Sequence, residues 1–498
     1  MNHARRGASE ASDRLAIGSD PASGGYSLDY ADSPIERVKR SFESTEGPYD
    51  NRVKRGYETG DAPVVPVPER AGGRCRDRRL RRGRRADDGR RGLDTHCGDV
   101  RADDSGPSGG TPRRVTPDQG GVAWRVDLGA AVGAAPAVAG DRVYVGGWRE
   151  TYGTPTPARG DAPPGASDRL FALDLADGSV AWDYVAGPVQ RQPRVVGDTV
   201  YVVRGYDGLH GHGYQVRGVG TDGHELWTHE APSLKFLTVL GADASGMAVG
   251  THDDYLSGGE ERVTELTPGG DVRWQRAFDD AYAGALDAER AYVSAYTDRV
   301  RAFDRATGET RWTVETTELR PPAPVVVGET VLVGAMDLQG ADRTSGDRRW
   351  VREGLDLSGV AAADGTAFAA TGDGTVLALD PADGSTVWTR SAGTNWAWIA
   401  VAGGRLYAGW QDGALVARDT DTGERLWRET FDGAARPVPA GERVYAHRPD
   451  AARTVALADD DGTRQHTYRF GARPTAVVPG DGVDVVATRS GSVYGLAR

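Results

Sequence analysis

The 498-residue sequence has only two cysteines, three methionines and three lysines, and it contains no long apolar run. Cys75 and Cys97 both precede residue 122, so the chain beyond that point has no disulfide. Without a stretch of about 18 apolar residues, no transmembrane helix is predicted. By contrast, the 69 glycines and 27 prolines are typical of a turn-rich chain built from short strands. Composition therefore predicts an all-β protein.

The charge of the chain is acidic and unevenly distributed. The net charge is −12, and residues 122–498 carry 52 acidic against 37 basic residues. Nucleic acid binding requires clustered lysine and arginine, so no nucleic acid partner is expected for this region. Scarce lysine with abundant aspartate and alanine is similar to proteins of salt-loving organisms, in which acidic surfaces maintain solubility.

Residues 1–121 show no sustained hydrophobic period and few large apolar residues, which predicts a disordered N-terminal tail and linker. Within it, Arg74–Arg91 contains ten arginines. Three interpretations stay open: a basic arm, a solvated tail, or a misread frame or start site where an exported protein would carry its signal. No signal peptide or lipid-anchor context is readable, even around Cys97. Membrane attachment is therefore expected only through a lost or misread N-terminal signal or anchor.

A repeat begins at Val122. Tryptophan recurs at the end of a strand that follows a glycine turn, and the last slot holds His466. The later spacings are a constant 38 or 39 residues, the length of one propeller blade, whereas three longer intervals contain insertions near residues 149–167, 205–213 and 252–261. The tryptophans of the repeat are Trp124, Trp182, Trp227, Trp274, Trp312, Trp350, Trp388 and Trp427.

The segment Asp364 to Trp388 shows the unit clearly. Two short apolar runs and a strand ending in Trp388 are separated by Gly-Asp-Gly and Asp-x-x-x-Gly turns, which leaves no room for a helix. Near-continuous apolar runs predict strands buried on both faces, and the turn glycines supply the positive φ of a tight reversal. We expect the tryptophans to be structural, each docking its ring between adjacent blades.

The two ends of the repeat region complement each other. Val122–Leu128 is a tryptophan-type strand alone, whereas the last residues provide the first three strands of a unit. One blade built from both termini would seal the ring and remove exposed sheet edges. Both the tryptophan-type and the third strands number nine, so the sequence predicts nine four-stranded blades. The unit containing Ala244–Gly250 is the least regular.

Units such as Val143-Tyr-Val-Gly, Leu170-Phe-Ala-Leu-Asp and Asp177-Gly-x-x-x-Trp182 resemble the pyrroloquinoline-quinone (PQQ)-like repeat. The resemblance covers residues 122–498 and implies a single closed β-propeller, for which the usual number of blades is eight. It connects the chain both with quinoprotein dehydrogenases and with the BamB-like scaffold family.

The resemblance implies two alternative functions. Quinoprotein dehydrogenases of this fold hold PQQ over a disulfide of adjacent cysteines, beside a metal ion, and residues 122–498 contain no cysteine. We therefore expect no cofactor, no catalytic residues and no enzymatic activity. The expected function is a monomeric scaffold that binds an as yet unknown protein partner, with the cell surface favoured by the resemblance. The alternative is a PQQ-dependent alcohol or sugar dehydrogenase.

Two groups of residues are candidates for metal binding. Asp419–Gly423 and Asp459–Gly462 resemble parts of a calcium loop, but neither has the full ligand spacing, so structural turns are the preferred interpretation. Five histidines lie within sequence reach of one another and are interpreted as unrelated loop residues rather than as a metal site. These are His210, His212, His224, His229 and His252.

Four tryptophans lie outside the repeated slots and are the candidate binding residues. Trp148 and Trp410 follow second strands, and Trp396 and Trp398 precede the blade of Trp410. Loops of one face gather at these positions, so the four side chains are predicted to form an aromatic rim for a peptide, a sugar or a partner protein. Ordinary packing is the competing interpretation.

Overall fold

The computed structural model describes residues 112–115, 120–148, 168–189, 191–205, 214–230, 236–252, 261–295, 298–316, 322–334, 336–391 and 396–498. All of them lie in one compact unit of the chain. The predicted tail, the arginine-rich block and both cysteines lie outside these ranges.

The described residues form 37 strands and one 3₁₀ turn, Pro449–Ala451, and no helix among them is long and apolar enough to cross a membrane. The strands are β1 (Arg113–Val115), β2 (Val122–Asp127), β3 (Ala137–Ala139), β4 (Arg142–Gly146), β5 (Arg169–Asp174), β6 (Val180–Val185), β7 (Arg194–Val196), β8 (Thr199–Arg204), β9 (Gln215–Gly220), β10 (Glu225–Glu230), β11 (Phe236–Asp243), β12 (Gly246–His252), β13 (Arg262–Leu266), β14 (Val272–Ala277), β15 (Ala281–Leu286), β16 (Arg290–Ala295), β17 (Arg299–Asp304), β18 (Thr310–Glu315), β19 (Val325–Val327), β20 (Thr330–Val333), β21 (Leu338–Asp342), β22 (Arg348–Arg352), β23 (Leu357–Ala363), β24 (Thr366–Thr371), β25 (Thr375–Leu379), β26 (Thr386–Ser391), β27 (Ala397–Ala402), β28 (Arg405–Trp410), β29 (Ala414–Asp419), β30 (Arg425–Thr430), β31 (Arg436–Ala440), β32 (Arg443–Arg448), β33 (Arg453–Ala458), β34 (Arg464–Arg469), β35 (Pro474–Val478), β36 (Val483–Thr488) and β37 (Ser492–Ala497).

These strands form nine antiparallel sheets, the blades of a β-propeller. Blades 1 to 8 are consecutive four-stranded meanders, from β3–β6 in blade 1 to β31–β34 in blade 8. Blade 9 joins both ends of the repeat region, because β2 pairs with β37, for example Trp124 opposite Gly495. The predicted closure and the count of nine are confirmed, and the family norm of eight does not apply to this chain. The unit judged least regular from sequence is a complete blade, β11–β14.

The core is divided among the seams between blades. The buried apolar residues of the described chain form nine clusters, each containing residues from two neighbouring blades. One cluster contains Val126 of blade 9 and Phe171 of blade 1 and so seals the ring. Burying a side chain such as Phe368, with no exposed surface, contributes roughly 2 to 3 kcal/mol. Stability therefore depends on every seam.

The strands within a blade differ in burial as their position predicts. In blade 6, β24 is buried along almost its whole length, whereas the outer strand β26 alternates exposed side chains with the buried Trp388. An inner strand is covered by neighbouring sheets on both faces, and an outer strand has solvent on one side. The apolar runs recognised in the sequence are thus the inner strands.

One part of the predicted tail belongs to the propeller. Arg113–Val115 lie within the predicted tail, but these residues form β1 and pair with β2, with Arg114 opposite Val126. They were missed because three residues, two of them exposed arginines, carry no hydrophobic period.

Candidate functional site

The antiparallel order gives the propeller two different faces. At the turn face, first strands turn into second strands and third strands into fourth strands. At the variable face, second strands connect to third strands and fourth strands lead into the next blade. The three insertions of the sequence, near residues 149–167, 205–213 and 252–261, each follow a second strand and precede a third strand, so they belong to connections of the variable face. The regular turns and the variable loops are therefore separated.

The acidic turns of the turn face are satisfied by their own backbone. The Asp304 carboxylate accepts hydrogen bonds from the backbone N–H groups of Ala306 at 2.9 Å and Thr307 at 2.8 Å. The Arg311 guanidinium, followed by these turn N–H groups, lowers the pKa of Asp304 to about 2. Asp419 likewise accepts from the N–H groups of Asp421 at 3.1 Å and Thr422 at 2.9 Å. Asp419 belongs to one of the two segments considered for calcium, and its carboxylate binds the backbone of its own turn.

The repeated tryptophans all dock on the turn face of the next blade. In blade 6, the Trp388 indole donates its Nε1–H to the Thr420 carbonyl of blade 7 at 2.7 Å. Its ring covers Gly423, where φ is +67° and a Cβ atom would lie 2.6 Å from Trp388 Cδ2. A larger residue at Gly423 would clash with the ring and strain the backbone.

At eight seams among the described residues, a repeated tryptophan donates this hydrogen bond from its indole Nε1–H to a backbone carbonyl of the next blade, with Nε1–O distances of 2.7–3.0 Å. The pairs are Trp124 with Leu175, Trp182 with Thr221, Trp227 with Pro268, Trp274 with Arg305, Trp312 with Arg343, Trp350 with Pro381, Trp388 with Thr420, and Trp427 with Asp459. His466 occupies the ninth slot, where its ring lies 4.4 Å from that of Tyr468 and faces Gly121.

Buried ion pairs reinforce some of the same seams. Arg305, which is 2% exposed, donates from Nε and Nη2 to Glu265 Oε1 at 2.9 and 2.8 Å, joining blade 4 to blade 3. Burial raises the pKa of Glu265, against the lowering effect of Arg305. In the next seam, Arg343 donates to Asp287 at 2.9 Å. These charges are neutralised within the protein.

Trp410, one of the four predicted rim residues, is a core residue. It has no exposed surface, it packs in the cluster between blades 6 and 7, and its Nε1–H donates to the Gly374 carbonyl at 3.2 Å. Its ring fills the seam at the end of β28, so it has no surface to offer to a partner. Sequence alone could not show this, because a position after a second strand can face either a seam or solvent.

The other three tryptophans do not form one rim. Trp148 lies in blade 1, separated by blades 8 and 9 from blade 7, and is half-buried against the backbone of Gly133. Trp396 is 50% exposed at the variable face, just before β27. Trp398, on β27, is half-buried, and the guanidinium carbon of Arg436 lies 4.9 Å from its ring centroid. Trp396, Trp398 and Arg436 therefore form the candidate site, which we call the Trp–Arg surface.

Arg436 was missed in the sequence because arginine is common throughout this chain and no spacing marks it. Next to it, His447 of β32 is buried, and its Nε2 lies 3.2 Å from the Thr475 carbonyl. A carbonyl only accepts, so Nε2 carries the hydrogen, and Nδ1 accepts from the Thr454 hydroxyl at 3.0 Å. Burial lowers the pKa of His447 to about 4.

The histidines considered as metal ligands are not assembled into a site in the described part of the chain. His210 and His212 lie outside the described residues, as does the side chain of His252. His224 contacts Asp222 at 3.2 Å on an exposed turn. No group of three or more His, Cys, Asp or Glu side chains that could hold a metal ion occurs among the residues that the structure describes.

Three solved structures are similar to this chain. BamB from Moraxella catarrhalis is 18% identical with a TM-score of 0.48 and matches 62% of this chain and 96% of its own. The computationally designed Ika8 protein is 14% identical with a TM-score of 0.50 and matches 74% and 96%. A europium-containing methanol dehydrogenase is 14% identical with a TM-score of 0.44 and matches 68% and 84%. At these identities, the Ika8 likeness supports the fold alone.

One protein family has a sequence model that matches this chain. No match was found among curated proteins. The family model described as outer membrane protein assembly factor BamB matches residues 108–278, 213–354 and 372–496, which together span about three quarters of the sequence and leave out only the first two strands of blade 6 within the propeller. The chain therefore belongs to the BamB family of PQQ-like repeat propellers.

Proposed function

We propose that this protein is a non-enzymatic scaffold that binds a protein partner through the variable face of blades 7 and 8. The observation that carries the proposal is Trp396, a large aromatic side chain that is 50% exposed at the face where the variable loops gather. The eight repeated tryptophans are instead docked in seams between blades, and Trp410 has no exposed surface. Exposed tryptophan is typical of the centre of a protein interface.

The neighbours of Trp396 support the same function. Trp398 and Arg436 form a cation–π pair with a distance of 4.9 Å, which holds the guanidinium against a ring two residues from Trp396 in the sequence. Tryptophan and arginine are the residue types most enriched among the side chains that dominate binding energy. Their fixed positions reduce the entropy lost when a partner binds.

The sequence favours a scaffold over a quinoprotein dehydrogenase. Residues 122–498 contain no cysteine, so the propeller cannot form the disulfide of adjacent cysteines on which the quinone of such enzymes rests. The family's name refers to assembly of other proteins, which agrees with a binding role. The proposal for this chain is limited to that class and does not specify the assembly.

The test is affinity capture from the native organism followed by mass spectrometry, with wild type and Trp396→Ala side by side. We expect wild type to retain a defined partner and Trp396→Ala to retain at least tenfold less, as for an interface residue whose loss costs about 1.4 kcal/mol or more. The matched control is Val387→Ala, an apolar residue of similar exposure, 54%, on an outer strand of blade 6. This control should retain the partner fully.

Two results would contradict the scaffold. One is equal capture by Trp396→Ala and wild type while both remain folded. The other is a quinone absorbance band in the purified protein together with dye-linked oxidation of an alcohol or sugar, which would assign the protein to the dehydrogenases instead.

A further inference from the structure

Two large apolar side chains are exposed in the connections of the variable face. Eight large apolar side chains are exposed among the described residues, and six of them lie on outer strands. The other two are Met336, 51% exposed between β20 and β21, and Trp396, 50% exposed between β26 and β27. A partner that covers these two residues would remove their apolar surface from water, which favours binding.

Backbone contacts connect Met336 with blade 6. Its carbonyl accepts hydrogen bonds from the N–H groups of Leu355 at 2.8 Å and Asp356 at 3.1 Å. The Asp356 carbonyl in turn accepts a hydrogen bond from the N–H group of Gly372 at 2.6 Å. The half-buried Leu355 therefore adds to the apolar surface beside Met336, and the connection that contains both Leu355 and Asp356 lies against the next one.

Contacts of the same kind continue from blade 6 to blade 7. The Gly374 carbonyl accepts a hydrogen bond from Trp410 Nε1–H at 3.2 Å, and Trp410 is paired with Ala397, the residue that follows Trp396. Neighbouring connections of blades 5 to 7 therefore contact one another across the variable face. We call the three apolar residues along them the apolar strip: Met336, Leu355 and Trp396.

The connections that contain or separate the residues of the apolar strip are acidic. These five connections, from that between β20 and β21 to that between β28 and β29, contain five carboxylates and no arginine or lysine. The carboxylates are Asp337, Glu353, Asp356, Asp373 and Asp412. Among the described residues, no salt bridge joins any of the last four to a basic side chain. Large apolar side chains and negative charge therefore share one part of the variable face.

The nearest basic residue in the sequence is turned away from these carboxylates. Arg352 precedes Glu353, but its Nη1 donates hydrogen bonds to the Gly384 carbonyl at 2.9 Å and to the Thr386 hydroxyl at 3.0 Å. Both acceptors belong to the turn and outer strand of blade 6. Arg352 is thus used to join two blades rather than to neutralise the connection that follows it.

Positive charge is concentrated at the variable face of blades 8 and 9 instead. Arg489 lies in the connection from β36 to β37, and Arg448, which ends β32, lies directly opposite Arg453. In blade 2, the equivalent Arg204 lies opposite the neutral Gln215. A cationic ligand is therefore repelled from blades 8 and 9 and attracted to blades 5 to 7.

We propose that the apolar strip binds a basic, apolar segment of the protein partner, in which lysine or arginine alternates with large apolar side chains. The apolar side chains of the segment cover Met336 and Trp396, and its cations pair with the carboxylates beside them. The segment extends from Trp396 towards blade 5, away from Arg436. This inference rests on the proposed scaffold function, because it names the chemistry of the segment that Trp396 contacts.

The test removes the negative charge and keeps the shape of the surface. Fluorescence anisotropy measures binding of a fluorescein-labelled peptide of alternating lysine and leucine to the full-length wild type and to the triple variant Glu353→Gln/Asp356→Asn/Asp412→Asn. Asparagine tolerates the φ of +47° at residue 356. We expect the triple variant to bind at least tenfold more weakly, and wild-type binding to weaken as the salt concentration rises.

The matched control removes the same charges from the opposite face of the same blades. The control variant Asp383→Asn/Asp421→Asn/Glu424→Gln changes three exposed carboxylates of the turn face in blades 6 and 7, so its net charge equals that of the triple variant. It should bind the peptide as wild type does. Circular dichroism checks that each variant is folded, and Glu353→Gln alone should also weaken binding if the triple variant is unstable.

A second variant tests the apolar part of the surface. Met336→Ser should weaken binding of the same peptide about fivefold, by an amount that salt does not change.

The inference is overturned if the triple variant binds as tightly as wild type, or if the control loses as much affinity as the triple variant. Equal binding of a peptide with serine in place of leucine would also overturn it. Self-association of wild type that the triple variant lacks would make a second copy of the chain the occupant. None of these results affects the capture experiment with Trp396→Ala, which tests the scaffold separately.

Discussion

The repeated tryptophans of the turn face and Trp396 of the variable face differ in what surrounds them. On the turn face, the Trp388 indole finds a carbonyl and the Asp304 carboxylate finds backbone N–H groups, all within the chain. On the variable face, Trp396 is half exposed and Arg448 is buried without an acceptor. The repeated residues thus hold the ring together, whereas Trp396 leaves half of its surface to solvent.

The largest expected effect is at a seam. Trp388→Ala removes a ring that is 5% exposed, its hydrogen bond to Thr420 and its cover over Gly423. Replacing a buried tryptophan by alanine costs about 3 to 5 kcal/mol in unfolding free energy. Chemical denaturation followed by circular dichroism measures this loss. A cost below about 1 kcal/mol would contradict the docking role of the turn face.

The pH dependence of unfolding tests whether the His447 side chain, near the variable face, stays buried with its hydrogen bonds inside the protein. The pKa of His447 is lowered to about 4 by burial, against about 6.5 in the unfolded chain, so the unfolded state binds more protons between these values. The free energy of unfolding should therefore fall by about 3 kcal/mol as the pH falls from 6.5 to 4 and then level off. In His447→Gln this part of the pH dependence should be missing. An unchanged slope in the variant would show that another group titrates.

Removing a carboxylate from the turn face should lower the free energy of unfolding by a smaller amount. Asp304→Ala removes two backbone hydrogen bonds and the contact with Arg311, which should cost about 1 to 2 kcal/mol near neutral pH. Since the pKa of Asp304 is about 2 in the folded protein, its contribution is present above pH 3.8 and is lost as the pH falls through 2. The stability difference between variant and wild type should disappear on acidification. A difference that persists at low pH would point to packing.

The smallest expected change in stability is at the variable face. Trp396→Ala should lower the unfolding free energy by about 1 kcal/mol, much less than Trp388→Ala, because half of the Trp396 side chain already lies in solvent. Thermal unfolding measured beside Trp388→Ala makes the comparison direct. A large loss of stability would place Trp396 among the packing residues and remove the evidence for the Trp–Arg surface.

Sequence patterns identified the blades because each blade repeats the same local constraints. Trp388 at the end of a strand and Gly423 in a turn recur at a fixed period, and such residues are dictated by backbone geometry and seam packing. The short strand Arg113–Val115 was missed, since it carries no such constraint. The aromatic rim was only partly resolved: Trp410 and Trp396 both lie outside the repeated slots, yet one fills a seam and the other reaches solvent.

What the sequence by itself determined is the all-β class, the number of blades and the closure by both termini, because these follow from periodic residues that act locally. Only the tertiary structure placed Trp398 beside Arg436 and left Arg448 without an acceptor, since these contacts join residues from different blades or strands. Arg448 and Arg204 are the same type of residue, and each ends the second strand of its blade. The difference lies in the partners that the folded sheets place opposite them.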